Sequence, residues 1–212
     1  FDVNPINGDP TVATIVPSNT TYVWTVVDNP NVTGDSDEAL PQTSISQTLV
    51  NETNVTQDVV YTITPISDLG CDGPTFELTV TVESRPIISD KIDGICSGDT
   101  FTVTPTDNAP LEIVPTNTLY TWTVVPAADN AFVTGFSDVT VPTAPISQTL
   151  INLSDDVRII TYIVTPSSGT CIGLPFELEV TLSPRPFIED VVVDPICSED
   201  TFVVSLQTGV PN

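Results

Sequence analysis

One internal repeat constrains this chain more than any other feature. Ile45-Ser46-Gln47-Thr48-Leu49 returns as Ile146-Ser147-Gln148-Thr149-Leu150, and Phe76-Glu77-Leu78 as Phe176-Glu177-Leu178, at offsets of 101 and 100 residues. Trp24 aligns with Trp122, Cys71 with Cys171, Arg85-Pro86 with Arg185-Pro186, and the stretch from Ile95 to Phe101 with that from Ile196 to Phe202. A period near one hundred residues is the size of a β-sandwich and far too long for a solenoid unit. Phe1 falls where Phe101 and Phe202 fall, so the predicted units are 1–85 (without its N-terminal strands), 86–185 (complete) and 186–212 (the start of a third). That phase leads us to expect a segment internal to a longer array.

Alternation sets the fold class. Phe176, Leu178, Val180 and Leu182 share one side of an extended chain while Glu177, Glu179, Thr181 and Ser183 share the other, and Phe76 to Val82 repeats the pattern. Tyr120, Trp122 and Val124 alternate in the same way, and so do Ile160, Tyr162 and Val164. No helical period occurs, and 20 prolines and 10 glycines punctuate the runs of Thr, Val and Ile. In the second unit we expect strands near 86–90, 100–104, 119–125, 145–151, 158–166 and 175–183, with a short one between 131 and 141. Six or seven antiparallel strands in about a hundred residues make an all-β immunoglobulin-like sandwich, with Trp24 and Trp122 as core residues. Strands of about ten residues at roughly 3.3 Å each give a unit near 35 Å long, and stacked units an extended rod.

Charge narrows the partners. Asp and Glu total 28 against 4 Lys and Arg, a net charge of -24, which argues against nucleic acid and anionic membrane surfaces. No apolar run approaches the roughly 18 residues that span a bilayer, so no membrane insertion is expected. At 40% hydrophobic the chain is nonetheless globular. Four cysteines at repeat positions with no histidine read as disulfide half-pairs of an extracellular protein.

Catalysis is not expected. Without histidine a Ser or Cys nucleophile lacks its usual base, and no spacing selects a pair of carboxylates. No cofactor is expected either, although Asp35, Asp37 and Glu38 form an acidic cluster with oxygen ligands for calcium, and Asp155-Asp156 a weaker one. Neither has the EF-hand spacing, and a solvated acidic loop accounts for both. Arg85-Pro86 and Arg185-Pro186 are stiff inter-repeat junctions, the arginines read either as clamps on acids of the next unit or as surface ion pairs. Phe132 and Phe136 are aromatics of one unit that the other lacks, the pattern of a sugar-binding surface. Five Asn-x-Ser/Thr sequons occur, at Asn19, Asn31, Asn51, Asn54 and Asn152. Each unit supplies one cysteine before its second strand and one in its last hairpin, so a self-contained unit closes Cys96 to Cys171 and leaves Cys71 and Cys197 to partners outside the chain. Bridges between neighbouring units, Cys71 with Cys96 and Cys171 with Cys197, are the alternatives.

The segments Ile95-Cys96-Ser97-Gly98-Asp99-Thr100, Tyr120-Thr121-Trp122, Ile163 to Gly173 and Val180 to Pro186 resemble the PKD-like repeats found in tandem in very large Bacteroidetes surface proteins, including gliding-motility adhesins of the SprB type. Thr123-Val124-Val125 stands where true PKD domains carry Asp-Phe-Gly-Asp, so no role of that loop is carried over. The resemblance implies cell adhesion at the cell surface, type IX secretion, and a motility or secretion apparatus as partner. On this reading the chain is a stalk or adhesive spacer whose partners are its neighbouring repeats and an unidentified surface, polysaccharide or protein receptor. The rival is a carbohydrate- or calcium-binding module attached to a secreted enzyme.

Overall fold

A computed structural model describes residues 1–9 and 14–204. The first unit holds β1 (Asp2–Val3), β2 (Thr21–Val26), β3 (Val32–Thr33), β4 (Glu38–Gln42), β5 (Ile45–Ser46), β6 (Val50–Asn51), β7 (Gln57–Ile66) and β8 (Phe76–Val82). The second holds β9 (Lys91–Cys96), β10 (Thr100–Val103), β11 (Leu119–Val124), β12 (Val133–Thr134), β13 (Val139–Thr143), β14 (Ile146–Thr149), β15 (Ile151–Asn152), β16 (Arg158–Ser168), β17 (Cys171–Ile172) and β18 (Phe176–Ser183), with one 3-10 turn at Ala128–Phe132. Both units are all-β immunoglobulin-like sandwiches.

Each unit has one main sheet, ordered β4-β2-β7-β8 in the first and β13-β11-β16-β18-β9 in the second. Short ribbons cover them: β1 with β5 and β3 with β6 in the first unit, β10 with β14 and β12 with β15 in the second. The inward side chains of the alternating strands make two separate cores. One gathers Tyr22, Trp24, Ile45, Val59, Tyr61 and Ile63, the other Phe101, Trp122, Ile146, Tyr162, Leu178 and Leu182. Trp24 and Trp122 are equivalently buried, at 5% and 3% exposure.

Three expectations are corrected. Residues 86–90 are not a strand; Ile87 only bridges Ile113, and the edge strand is β9, four residues further on. β9 also runs parallel to β18, the one parallel strand pair among the described residues. Residues 184–204 form no strand; residues 205–212 of the expected third unit lie outside the described residues.

The units differ at one edge. β9 lies along β18 from Leu178↔Lys91 to Ser183↔Cys96, whereas β8 has no strand on its outer side among the described residues. Burial follows: Phe176 is 3% exposed and Phe76 37%.

Candidate functional site

The junction between the units is the site where the sequence makes its most specific demands. β8 ends opposite the start of β7, at Val82↔Gln57, and the chain continues through Glu83, Ser84, Arg85 and Pro86. Opposite stands the β16–β17 hairpin of the second unit, closed by Ser168↔Cys171. Thr170 Oγ1 donates to Glu83 Oε2 at 3.3 Å, and Cys171 Sγ lies 3.5 Å from the same oxygen. Gly173 lets the linker pass: a Cβ there would sit 2.4 Å from the Pro86 carbonyl oxygen. Beyond it, Ile87 and Ile113 exchange both backbone hydrogen bonds, at 2.9 and 2.8 Å. Lys91 pairs with Glu112 at 2.5 Å, and Ser89 donates to the same carboxylate. The bond from Lys91, then that from Ser89, holds the Glu112 carboxyl down to about 2. The end of the first unit therefore meets the hairpin end of the second.

The two junction arginines behave differently. Arg185 Nη2 donates to Asp99 at 2.6 Å, an acid in its own unit's Ser97–Asp99 turn and not in a following unit. Arg85 is exposed and makes no ion pair among the described residues. Of the two readings of the arginines, clamp on the next unit or surface ion pair, Arg185 with Asp99 has the geometry of an exposed ion pair within its own unit. Pro86 is buried at the junction, and Pro186 is exposed.

All four cysteines are free. Cys96 sits beside Ser183, next to the Arg158 end of β16, and Cys171 beside Ser168 at the other end. An 11-residue strand separates them, roughly 33 Å at 3.3 Å per step, where a bridge needs Cα atoms within about 7 Å. The expected Cys96–Cys171 bridge is therefore not made. Cys71 lies at the outer end of the first unit, near Ser67, and Cys96 at the outer end of the second, which removes the Cys71–Cys96 alternative as well. Within the chain Cys171 and Cys197 are likewise unbridged; the tail that carries Cys197 leaves from the Ser183 end.

The acidic cluster serves the fold. Asp37 Oδ1 accepts the Val26 N–H at 2.8 Å, and Asp138 Oδ1 accepts the Val124 N–H at 2.8 Å. In each unit the strand ladder shifts register beside the Trp, and the carboxylate takes the N–H that the ladder leaves. Glu38 Oε1 accepts the Leu40 N–H at 2.8 Å. Asp35 Oδ2 is a buried oxygen with no partner, and its charge adds to burial in pushing the Tyr61 hydroxyl up to about 12. No group of three or more His, Cys, Asp or Glu side chains suited to a metal occurs among the described residues. Asp155 is exposed, and Asp156 pairs with Arg158 at 3.2 Å.

Phe132 carries the Arg158 guanidinium 4.2 Å over its ring, and Phe136 packs on the core, so neither offers a bare platform. Two sequons are also structural. Asn51 and Asn152 are 6% and 9% exposed; each Nδ2 donates to two backbone carbonyls, and each Oδ1 accepts from the hydroxyl two residues on, Thr53 or Ser154, at 2.8 Å. The Asn-x-Ser/Thr spelling there is a turn, not a glycan site.

Composition gave no hint of what the Ser-Gln in the repeated pentapeptides does. Gln148 Nε2 donates to the Ser137 carbonyl at 2.7 Å, Trp122 Nε1 donates to the same oxygen at 3.1 Å, and Tyr162 donates to Gln148 Oε1 at 2.9 Å. Trp24, Ser36, Gln47 and Tyr61 repeat the network. The five-residue identity itself was the available signal.

A sequence profile of the PKD-like domain matches residues 4–86 and again 93–186. The chain belongs to the PKD-like domain family. Its two PKD-like copies coincide with the two cores, and PKD-like domains are typically modules of extracellular proteins. No curated protein matches the chain. No helix among the described residues is long and apolar enough to cross a membrane.

Proposed function

We propose that this pair of PKD-like units is a non-catalytic stalk segment of a cell-surface adhesin, setting reach and stiffness between an anchoring region and a receptor-binding one. The supporting observation is the junction: the strand end of one unit meets the hairpin end of the next through a short linker that Gly173, Pro86 and the Ile87–Ile113 bridge hold in place. A joint of this kind transmits force along the strands, whereas a flexible tether would let units swing. The resemblance to gliding-motility adhesins adds surface transport as the setting, with a polysaccharide or protein receptor as partner, and calcium is not required by this reading. The charge of -24 keeps neighbouring stalks apart at low ionic strength.

Small-angle scattering is the test. An end-to-end pair gives a maximum dimension about twice that of one unit, near 70 Å before the tail is counted; a folded-back pair, or a distribution as broad as that of a flexible two-bead chain, rejects the stalk. Gly173→Val, which presses the linker out of its path, is expected to broaden that distribution.

A further inference from the structure

Cys96 and Cys171 stand at opposite ends of the second unit, and each end has its own landmark. Cys96 closes β9 opposite Ser183 and lies beside the Arg185 guanidinium; the next residue, Ser97, donates its N–H to the Ser183 carbonyl at 2.8 Å. That thiol is exposed, at the end of the unit where the chain leaves β18. Cys171 is partly exposed at the other end, in the β16–β17 hairpin that meets the incoming linker. Its Sγ is 3.5 Å from Glu83 Oε2, with Arg85 close by.

The repeat makes these two landmarks one. Glu83 and Ser183 are equivalent positions, as are Arg85 and Arg185. In the frame of the unit that leads into a linker, Cys96 occupies the place beside residues 183 and 185. The hairpin cysteine of the unit that follows a linker occupies the same place, seen at residues 83 and 85. The joint that shows this second half is closely packed: Gly173 passes against the Pro86 carbonyl, and Thr170 donates to Glu83. A bridge needs Cα atoms within about 7 Å, a condition open to residues flanking one strand end and closed to the two ends of one sandwich. No joint within the 212 residues carries both cysteines, so each half is read at a different joint.

We propose that where one unit of this kind follows another, the strand-end cysteine of the first and the hairpin cysteine of the second close a disulfide across the joint. Cys96 is the first member of such a pair and Cys171 the second, each in its own joint. The pairing is one that spacing within a unit does not suggest. On oxidation the two thiols lose their protons, the Sγ–Sγ bond forms, and two electrons pass to a small-molecule disulfide such as oxidised glutathione, which leaves as two thiols. The bridge ties the strand end of one sandwich to the hairpin of the next, so a covalent link beside the peptide linker shares any pull along the array. The inference deepens the stalk reading and rests on its end-to-end joint, and it stands apart from what the stalk adheres to.

The experiment is the full chain with residues 86–185 written twice in succession, so that a complete unit follows a complete unit; the duplicated unit brings its own core, from Ile88 to Leu182. The doubled chain is oxidised in a glutathione redox buffer at low protein concentration and read by non-reducing peptide mapping and small-angle scattering. The expected product is a monomer with one bridge, from Cys96 of the first copy to Cys171 of the second. Cys96→Ser in the first copy or Cys171→Ser in the second abolishes it, and the same substitutions in the other copy leave it intact. A second measurement needs no added unit: in the parent chain, Glu83→Cys is expected to be joined to Cys171 by a short bis-maleimide, and not to Cys96. A bridge within one copy, a folded doubled chain without the bridge, or a Glu83→Cys variant that does not reach Cys171 overturns the proposal. Extended scattering without the bridge sinks this inference alone, whereas a bridged chain that scatters as folded back sinks the stalk reading instead.

Discussion

Single residues in this protein are fixed by backbone demands more than by surface chemistry. Gly34 and Gly135 follow the short strands β3 and β12 at φ +90° and +94°, and a Cβ would come within 2.0 and 2.1 Å of the Thr48 and Thr149 carbonyl oxygens. Gly135→Ala is expected to destabilise the second unit by roughly 2–4 kcal/mol, measured by chemical denaturation; a loss under about 0.5 kcal/mol would refute the account. Asn152→Ala strips donors from the Asp156 and Leu182 carbonyls and an acceptor from Ser154, and is expected to cost about 2 kcal/mol by the same measurement. Glu112 supplies a pH signature. Its carboxyl is held to about 2 in the fold against an ordinary 4.5, so its contribution is complete above pH 4.5 and fades as pH falls towards 2. Parent and Glu112→Gln melting temperatures should therefore differ most near neutrality and converge in acid; a constant gap down to pH 2 rejects the linkage.

At the scale of elements, one strand separates the two units. β18 lies between β16 and β9, while β8 has β7 on one side only. The first unit is accordingly expected to be the less stable. Amide exchange of Thr79 and Thr81, whose N–H groups face the open edge, should run much faster than that of Glu179 and Thr181, which face β9, and melting should show two transitions. With single Trp→Phe variants to separate the signals, Trp24 should report the earlier one. Equal protection of the outward-facing amides of β8 and β18 would reject the expected difference in stability.

The whole molecule is strongly acidic, and its charges are nearly all solvated, so self-repulsion acts against the compact state. Raising ionic strength from about 0.01 M to about 0.15 M shortens the Debye length from roughly 30 to 8 Å and is expected to raise the melting temperature of both units. A melting temperature independent of salt would show that the acids are locally compensated, contrary to the four ion pairs found among the described residues.

The sequence by itself determined the period, the strand class, the two cores and the burial of Trp24 and Trp122, because period-2 alternation and repetition are local patterns that survive in one dimension. What only the tertiary structure decided is where strand ends meet: that β9 runs parallel to β18, that Cys96 and Cys171 stand at opposite ends of a sandwich, that Arg185 clasps its own unit's turn, and that Asp37 and Asp138 bond backbone N–H groups. Equivalence between repeats says which residues occupy like environments. Distance between them is set by strand direction and by how one unit stacks on the next, and neither is written in the spacing of residues along the chain.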